Sequence, residues 1–213
     1  MRVGMLGTGD VGQALGTAFI TLGHEVMMGS RDGSNTKANG WVEQAGDRAS
    51  QGTFADAASF GELIVLATHG MATEGILRST GQERFAGKVV IDATNPLEFS
   101  TGAPQLAIVG PDSLGERIQA APPGASVVKA FNTVGSAHMF RPDFAGGPPD
   151  MFICGNDGPA KDRIATLLRD FGWGTVDIGD ITGSRFLEAM CMVWVRYGFV
   201  SGTWNHAFKL LRK

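Results

Sequence analysis

The 213-residue sequence predicts an α/β fold built on a doubly wound parallel sheet with helices on both faces. Three observations predict it. A short apolar strand, Arg2 to Leu6, runs directly into a glycine turn and then into a helical repeat of apolar residues at Leu15, Phe19 and Leu22. Continuous apolar runs recur at Leu63 to Ala67 and around Val89 to Ile91, the pattern of strands buried on both sheet faces. Stretches of helical periodicity separate these runs, so strand and helix alternate along the chain.

The turn after the first strand reads Gly7-Thr8-Gly9-Asp10-Val11-Gly12. In a strand-turn-helix unit of this kind Gly7 permits the tight turn. Gly9 lets the backbone approach a pyrophosphate without a Cβ in the way, and Gly12 lets helix and strand pack closely. The anion sits where unpaired N–H groups and the helix dipole both favour negative charge. This is the Rossmann dinucleotide fingerprint. A second strand follows at His24 to Gly29, and the residue that reads the adenosine ribose should stand roughly 20 positions beyond the turn. Ser30 and Arg31 occupy that place, with no carboxylate before Asp32. A hydroxyl beside a guanidinium suits a 2′-phosphate, whereas a carboxylate would repel it, so the sequence asks for NADP.

A polar loop from Asp32 to Lys37 leads to a helix expected over Trp41 to Ala49; Lys37 is either a second positive charge near the phosphate or a solvated side chain. Gly52 to Phe54 reads as a short third strand and Ala55 to Phe60 as a helical turn or two. The strand at Leu63 to Ala67 ends in Thr68-His69-Gly70-Met71, and a helix runs to about Ser79. Ligands of doubly wound folds lie across the carboxyl ends of the strands, which makes His69 a candidate substrate-facing residue; its other reading is a cap for the next helix. The strand Lys88 to Asp92 ends in Ala93-Thr94-Asn95-Pro96, and Pro96 biases Asn95 toward an extended turn. Asn95 either meets the nicotinamide ribose or holds that turn with its own side chain.

Glu98 to Pro111 loses periodicity and reads as a long surface loop. Ser113 to Ala121 is a helix with Ser113 as N-cap and Glu116 three residues on, stopped by Pro122-Pro123-Gly124. Ser126 to Ala130 is a further strand, and Asn132 in its terminal loop is the other candidate substrate-facing residue; otherwise it caps the turn at Gly135. After the Pro- and Gly-rich stretch Arg141 to Pro149 come strands at Met151 to Gly155 and Gly174 to Ile178, with a helix from Pro159 to Phe171 between them. The sheet is therefore expected to gain two C-terminal strands and a C-terminal helical segment. On this reading residues 1–145 form the NADP-binding Rossmann domain and 146–213 a strand-helix extension packed on it, or the two make one continuous domain. The helix Arg185 to Phe199 is apolar all round at Ala189 to Val195, which asks for burial on every side, by the core, a cleft wall or a second subunit. A homodimer is expected. The tail from Gly202 to Lys213 reads as a short amphipathic helix in which Trp204 and His206 are either ligand contacts or solvated.

Composition narrows the function classes. With 43% hydrophobic and 18% charged residues the chain is an ordinary globular protein, and a net charge of −3 without a basic stripe argues against nucleic acid. Cys154 and Cys191 stand in apolar settings with no second ligand at metal spacing, so they read as buried thiols in a reducing compartment, with no metal site. The strand at residue 2 leaves no room for a signal peptide, and the longest apolar run is far below a membrane span of ~20 residues. A cytoplasmic protein is expected.

The opening stretch, Leu22-Gly23-His24-Glu25-Val26 with Gly29-Ser30-Arg31, Val127-Val128-Lys129-Ala130-Phe131-Asn132-Thr133 and Cys154-Gly155-Asn156-Asp157 together resemble the deazaflavin-dependent NADP oxidoreductase family over nearly the whole chain. The resemblance extends to the cytosolic NADPH-oxidising domain of the six-transmembrane ferric reductases, where a flavin is the acceptor. It implies hydride transfer between NADPH and an 8-hydroxy-5-deazaflavin or flavin. It also implies that Thr8, Gly9, Asp10 and Val11 line the pyrophosphate, that Ser30 and Arg31 hold the 2′-phosphate, and that Thr68, His69 and Ala130 border the nicotinamide half. Where that family tends to place a histidine after the Ala-Phe pair, this chain has Asn132.

Hydride transfer between two rings needs stacking more than acid–base chemistry, which fits a chain with no evident proton relay. A Tyr-x-x-x-Lys carbonyl reducer is excluded, because Tyr197 is followed at that spacing by Ser201. A hydroxyacid dehydrogenase with a large helical domain would need far more chain after Pro149. The alternatives that stay open are a non-catalytic NADP-binding redox sensor and a reductase for a small carbonyl compound using His69 or Asn132.

Overall fold

The computed structural model describes residues 1–100 and 102–213; Thr101, within the loop expected over residues 98–111, lies outside the described residues. Strands β1 (Arg2–Leu6), β2 (Glu25–Ser30), β3 (Ala49–Thr53), β4 (Leu63–Leu66), β5 (Val89–Asp92) and β8 (Ser126–Lys129) pair in parallel in the order β8-β5-β4-β1-β2-β3. This is the doubly wound order, with its switch point between β1 and β4. Two further strands, β9 (Asp150–Gly155) and β10 (Gly174–Asp177), extend the sheet beyond β8.

These two run against the other six. Lys129 pairs antiparallel with Cys154, and β10 then runs parallel to β9. The physical reason is the connection. Between β8 and β9 the chain holds only a 3₁₀ turn at Ser136–His138, and a parallel return would need a long crossover, usually a helix. Between β9 and β10 that helix is present, α6 (Gly158–Asp170).

Strand alternation sorts the core into two layers. Val3, Met5, Leu63, Val65, Ile91 and Val128 face one side, where Leu15 and Phe19 of α1 (Asp10–Thr21), Trp41 of α2 (Thr36–Ala45) and Ile164 of α6 pack. Leu6, Ile64, Leu66, Val90 and Val127 face the other. There they meet Ala57 of α3 (Phe54–Phe60), Leu77 of α4 (Gly70–Thr80), Ile118 of α5 (Leu114–Ala120) and Leu187 of α7 (Ser184–Ser201).

Several local expectations are corrected. Helix α2 starts at Thr36 because the Asn35 side chain accepts from the Lys37 and Ala38 amides, and it stops at Gly46, whose φ of 82° leaves the helical region. Residues 49–53, assigned in part to that helix from sequence, are β3. The loop after Pro96 contains a small hairpin, β6 (Leu97–Glu98) with β7 (Gln105–Leu106), too short to show as periodicity.

Within the single chain, helix α7 is buried along one side. Leu187, Glu188, Cys191, Val195 and Gly198 are buried, while Phe186, Val193, Tyr197 and Val200 are exposed. The tail after Gly202 is not a helix; it runs back irregularly along the molecule. It is tied to the start of β9 by Asp150 N–H to Phe208 O and Leu210 N–H to Asp150 Oδ2. His206 stacks on Trp194 and its Nε2 lies 2.9 Å from Trp194 O, which packs the tail on α7.

Candidate active site

The carboxyl ends of β1, β2, β4 and β5 meet at two adjoining cavities that share Ala67, Thr68 and His69. The outer one, about 500 Å³, is lined by Gly7, Thr8, Gly9, Ser30, Arg31 and Asn35, with Phe54 and Ile76 as apolar walls. The inner one, about 200 Å³, is lined by Val11, Thr68, His69, Ala93, Asn95, Leu97 and Phe99. A hollow of about 510 Å³ around Arg48 and Phe60 lies at the opposite, amino ends of the strands, away from the glycine turn.

The glycines divide the labour as their surroundings dictate. Gly7 has a φ of 128°, and a Cβ there would stand 2.2 Å from Ala67 O, so the turn and the close approach of β4 both require it. A Cβ on Gly12 would meet Gly7 O at 2.3 Å, so this glycine seats α1 against the turn. Gly9 meets nothing within 4 Å. It is the N-cap of α1 without a side-chain cap, so the first-turn N–H groups face the outer cavity and not a protein acceptor. Such an end has the chemistry to receive an anion; of this turn Gly7, Thr8 and Gly9 line the outer cavity and Val11 the inner one. Asp10, in the first turn, is exposed.

Ser30 ends β2, 5% exposed, with its Oγ 3.5 Å from Asp32 Oδ1. Asp32 also accepts from the Ser34 amide, which makes it a turn former. Arg31 is exposed and takes part in no ion pair among the described residues, so its guanidinium is available to an anion in the outer cavity. The amide side chain of Asn35 is spent on capping α2, which aims a second helix N-terminus at the same region. The open space over Gly9, the uncapped α1 and the unpaired Arg31 fit NADP with its extra phosphate.

His69 is the N-cap residue of α4 yet makes no side-chain cap bond, and it lies exposed between the two cavities. Its capping alternative is therefore not realised. Thr68 Oγ1 pairs with Thr73 Oγ1 at 2.7 Å and Thr73 Oγ1 donates to His69 O, which fixes the loop that carries the imidazole.

Asn95 reaches the inner cavity while its side chain is bound to the neighbouring strand end. It donates from Nδ2 to Asn132 O at 2.8 Å, and Asn132 Nδ2 donates to Asn95 Oδ1 at 3.0 Å and to Leu187 O at 2.8 Å. Asn132 is 3% exposed, lines neither cavity, and does not cap the turn at Gly135. Ala130 is fully buried in the core behind the strand end, so its side chain does not border the cavities either. The structure thus brings Gly7, Thr8, Gly9, Val11, Ser30, Arg31, Thr68, His69 and Asn95 of the expected site to the two cavities, whereas Asp10, Gly12, Ala130 and Asn132 line neither.

Beneath the cleft lies a buried ionic cluster that sequence reasoning missed. Lys129 Nζ sits 2.8 Å from Asp92 Oδ2, 3.1 Å from Glu188 Oε1 and 2.9 Å from Thr94 O. Glu188 also accepts from the Leu114 and Gly115 amides at the start of α5, and Asp92 from the Thr94 amide and hydroxyl. Burial alone would pull the Lys129 ammonium down, but the two carboxylates outweigh it and its pKa lies above the ordinary lysine value. The cluster ties the ends of β5 and β8 to α5 and α7. A lysine at the end of an apolar strand was the available signal, since such a residue needs partners when buried.

Residues 2–96 match the family described as NADP oxidoreductase coenzyme F420-dependent. The chain is 30% identical to the F420-dependent NADP reductase of Methanothermobacter thermautotrophicus over 201 residues, 88% of this chain and 85% of that protein. It is 29% identical to metalloreductase STEAP3 of Rattus norvegicus over 89% of this chain but only 36% of that protein, so it spans about a third of the metalloreductase's length. The crystal structure of a candidate F420-dependent NADP-reductase from Arthrobacter sp. FB24 superposes with a TM-score of 0.94 at 41% identity, covering 100% of both chains. With the glycine turn, Ser30 and Arg31 placed as they are, the chain belongs to the family of coenzyme F420-dependent NADP oxidoreductases and is an NADP-dependent oxidoreductase.

Proposed function

We propose that the protein transfers hydride between NADPH and a planar deazaflavin or flavin-type acceptor. NADPH, when bound, supplies a hydride from its nicotinamide C4. The observation that carries the reading is the make-up of the inner cavity. Val11, Ala67, Ala93, Leu97 and Phe99 are apolar, Thr68, Thr94 and Asn95 are neutral, and His69 is the one ionisable side chain among its described lining residues. Such a lining suits a nicotinamide ring with an acceptor ring stacked over it from outside, and it is poorly equipped to shuttle protons. Two electrons and one proton move as hydride, and the acceptor takes its second proton from solvent.

The residues divide into a holding half and a reacting half. The α1 N-terminus binds the pyrophosphate, Ser30 and Arg31 the 2′-phosphate, and Phe54 and Ile76 give flat apolar walls for a base. Asn95, held by Asn132, offers the free part of its amide to the nicotinamide ribose. In the same reading the exposed apolar face of α7, Phe186, Val193, Tyr197 and Val200, supports a homodimer, and the two buried free thiols suit the reducing cytoplasm.

A test mixes protein and NADPH with a deazaflavin, FMN or a small ketone and follows the loss of reduced-nicotinamide absorbance. Turnover with the ring acceptors is expected; its absence with all of them would sink the reading. The uncommitted imidazole of His69 favours one second reading, a reductase for a small carbonyl compound with His69 as proton donor. In that case ketone turnover would be seen and lost in His69→Ala.

A further inference from the structure

The inner cavity is too small for two rings. At about 200 Å³ it has room for one nicotinamide-sized group, and its deep lining is short apolar side chains, with Ala93 only 8% exposed. A hydride acceptor must then lie over that group from the solvent side, about 3–3.5 Å away in a near-attack arrangement. Two large side chains of its described lining are exposed on that side, His69 and Phe99, and Phe99 is the apolar one. Phe99 lines the same cavity and is 58% exposed.

Phe99 is held where it is. It follows β6, whose Leu97 and Glu98 pair with Leu106 and Gln105 of β7, and Gln105 Nε2 donates to Glu98 Oε1 at 2.8 Å. The base of the hairpin is tied to the cleft by Leu97 N–H to Asn95 O and Ala107 N–H to Pro96 O. Gly102 N–H donates to Phe99 O at 3.1 Å. The hairpin thus grows out of the strand end that carries Asn95 and sets an aromatic ring at the rim of the reacting half of the cleft.

We propose that Phe99 is the outer wall of the acceptor site and selects for flat, ring-shaped hydride acceptors; this rests on the hydride-transfer reading above. An aromatic ring at this rim packs against a tricyclic acceptor through offset or edge contacts. It offers nothing comparable to a small ketone or a hydrated ferric chelate. The deep wall of Val11 and Ala93 positions the cofactor, and Phe99 positions what lies on top of it. The residue acts on acceptor binding, leaving the hold on NADPH to the outer cavity.

The experiment compares the wild type, Phe99→Ala and Phe99→Trp, each checked for an unchanged thermal transition. NADPH affinity is read from nicotinamide fluorescence. FMN and a deazaflavin are titrated into NADP⁺-saturated protein by quenching of their own fluorescence, and their KM is measured at saturating NADPH. Phe99→Ala should weaken ring-acceptor binding and raise its KM about tenfold, the scale of one lost aromatic contact, while NADPH affinity stays within about twofold and Phe99→Trp restores the wild-type values. Equal losses for NADPH and acceptor would show that Phe99 caps the nicotinamide, and unchanged acceptor binding would show an idle side chain; either overturns the proposal while leaving hydride transfer intact. A wild type that neither binds nor reduces any ring acceptor would instead bring down the functional reading, and this inference with it.

Discussion

Asn95 and Asn132 hold each other across the ends of β5 and β8 by a pair of hydrogen bonds, Asn95 Nδ2 to Asn132 O at 2.8 Å and Asn132 Nδ2 to Asn95 Oδ1 at 3.0 Å. Asn132 also reaches Leu187 O, and so links the floor of the cleft to α7. Its own Oδ1 is buried without a partner, which marks its role as a donor. Asn132→Ala should cost about 1–3 kcal/mol, because Asn95 Oδ1 and Leu187 O are left without their donor. The check is chemical denaturation. An unchanged midpoint together with a loss of turnover would return Asn132 to the substrate.

The buried triad carries a larger penalty. Lys129→Met leaves Asp92 and Glu188 with no counter-charge in a fully buried site, and removing one partner of a buried ionic group costs about 3–5 kcal/mol. Lys129→Met with Glu188→Gln should recover part of the loss. The pKa of Lys129 is raised, so its contribution is complete below the ordinary lysine value and fades only as pH rises through the folded value. Full stability in the single variant would show that the cluster relaxes by taking in water.

The thiols should be silent in the native state. Burial pushes Cys154 up to about 11 and Cys191 up to about 12, and the reactive form is the thiolate. A disulfide-exchange reagent at mildly alkaline pH should modify neither until the chain is unfolded, when both react. Fast labelling of the native protein would mean that α7 opens, since it carries Cys191 and covers Cys154 through Ser184.

The sequence made the cofactor half legible because that half is built from backbone and from adjacent residues. A glycine turn after a strand and a Ser-Arg pair after the next are local signals, and Gly7, Gly12 and Arg31 stand where that logic puts them. The reacting half depends on distant pairing. Nothing near Asn132 in the chain announces Asn95 or Leu187, and nothing near Lys129 announces Glu188. The hairpin with Phe99 is two residues per strand, below any periodicity. The tail misled because Trp204, His206 and Phe208 also fit a short amphipathic helix, whereas Gly202 turns the chain with a φ of 68° and Trp204 folds back over Gly198.

Arg31 should set cofactor choice. Its guanidinium is exposed at the outer cavity and Ser30 stands beside it at the end of β2, so the two can share a 2′-phosphate. Arg31→Ala should weaken NADP by about 1.5–3 kcal/mol, the worth of a charge-assisted hydrogen bond, and leave NAD nearly unchanged. Titration calorimetry with both nucleotides decides it. Equal losses would assign Arg31 to the fold.

The glycine turn allows folding and binding to be separated one residue at a time. At Gly9 the backbone φ is −78°, which any residue adopts, and a Cβ would meet nothing within 4 Å. Gly9→Ala should therefore fold with an unchanged thermal transition yet bind NADPH at least about tenfold more weakly, because the new methyl stands where the pyrophosphate must approach the α1 amides. At Gly7 the φ of 128° and the 2.2 Å approach to Ala67 O oppose any Cβ, so Gly7→Ala should lower stability first and lose NADPH as a consequence. Thermal melts with and without NADPH distinguish the two. If Gly9→Ala keeps the full ligand-induced rise in its melting temperature, the anion does not sit at the start of α1.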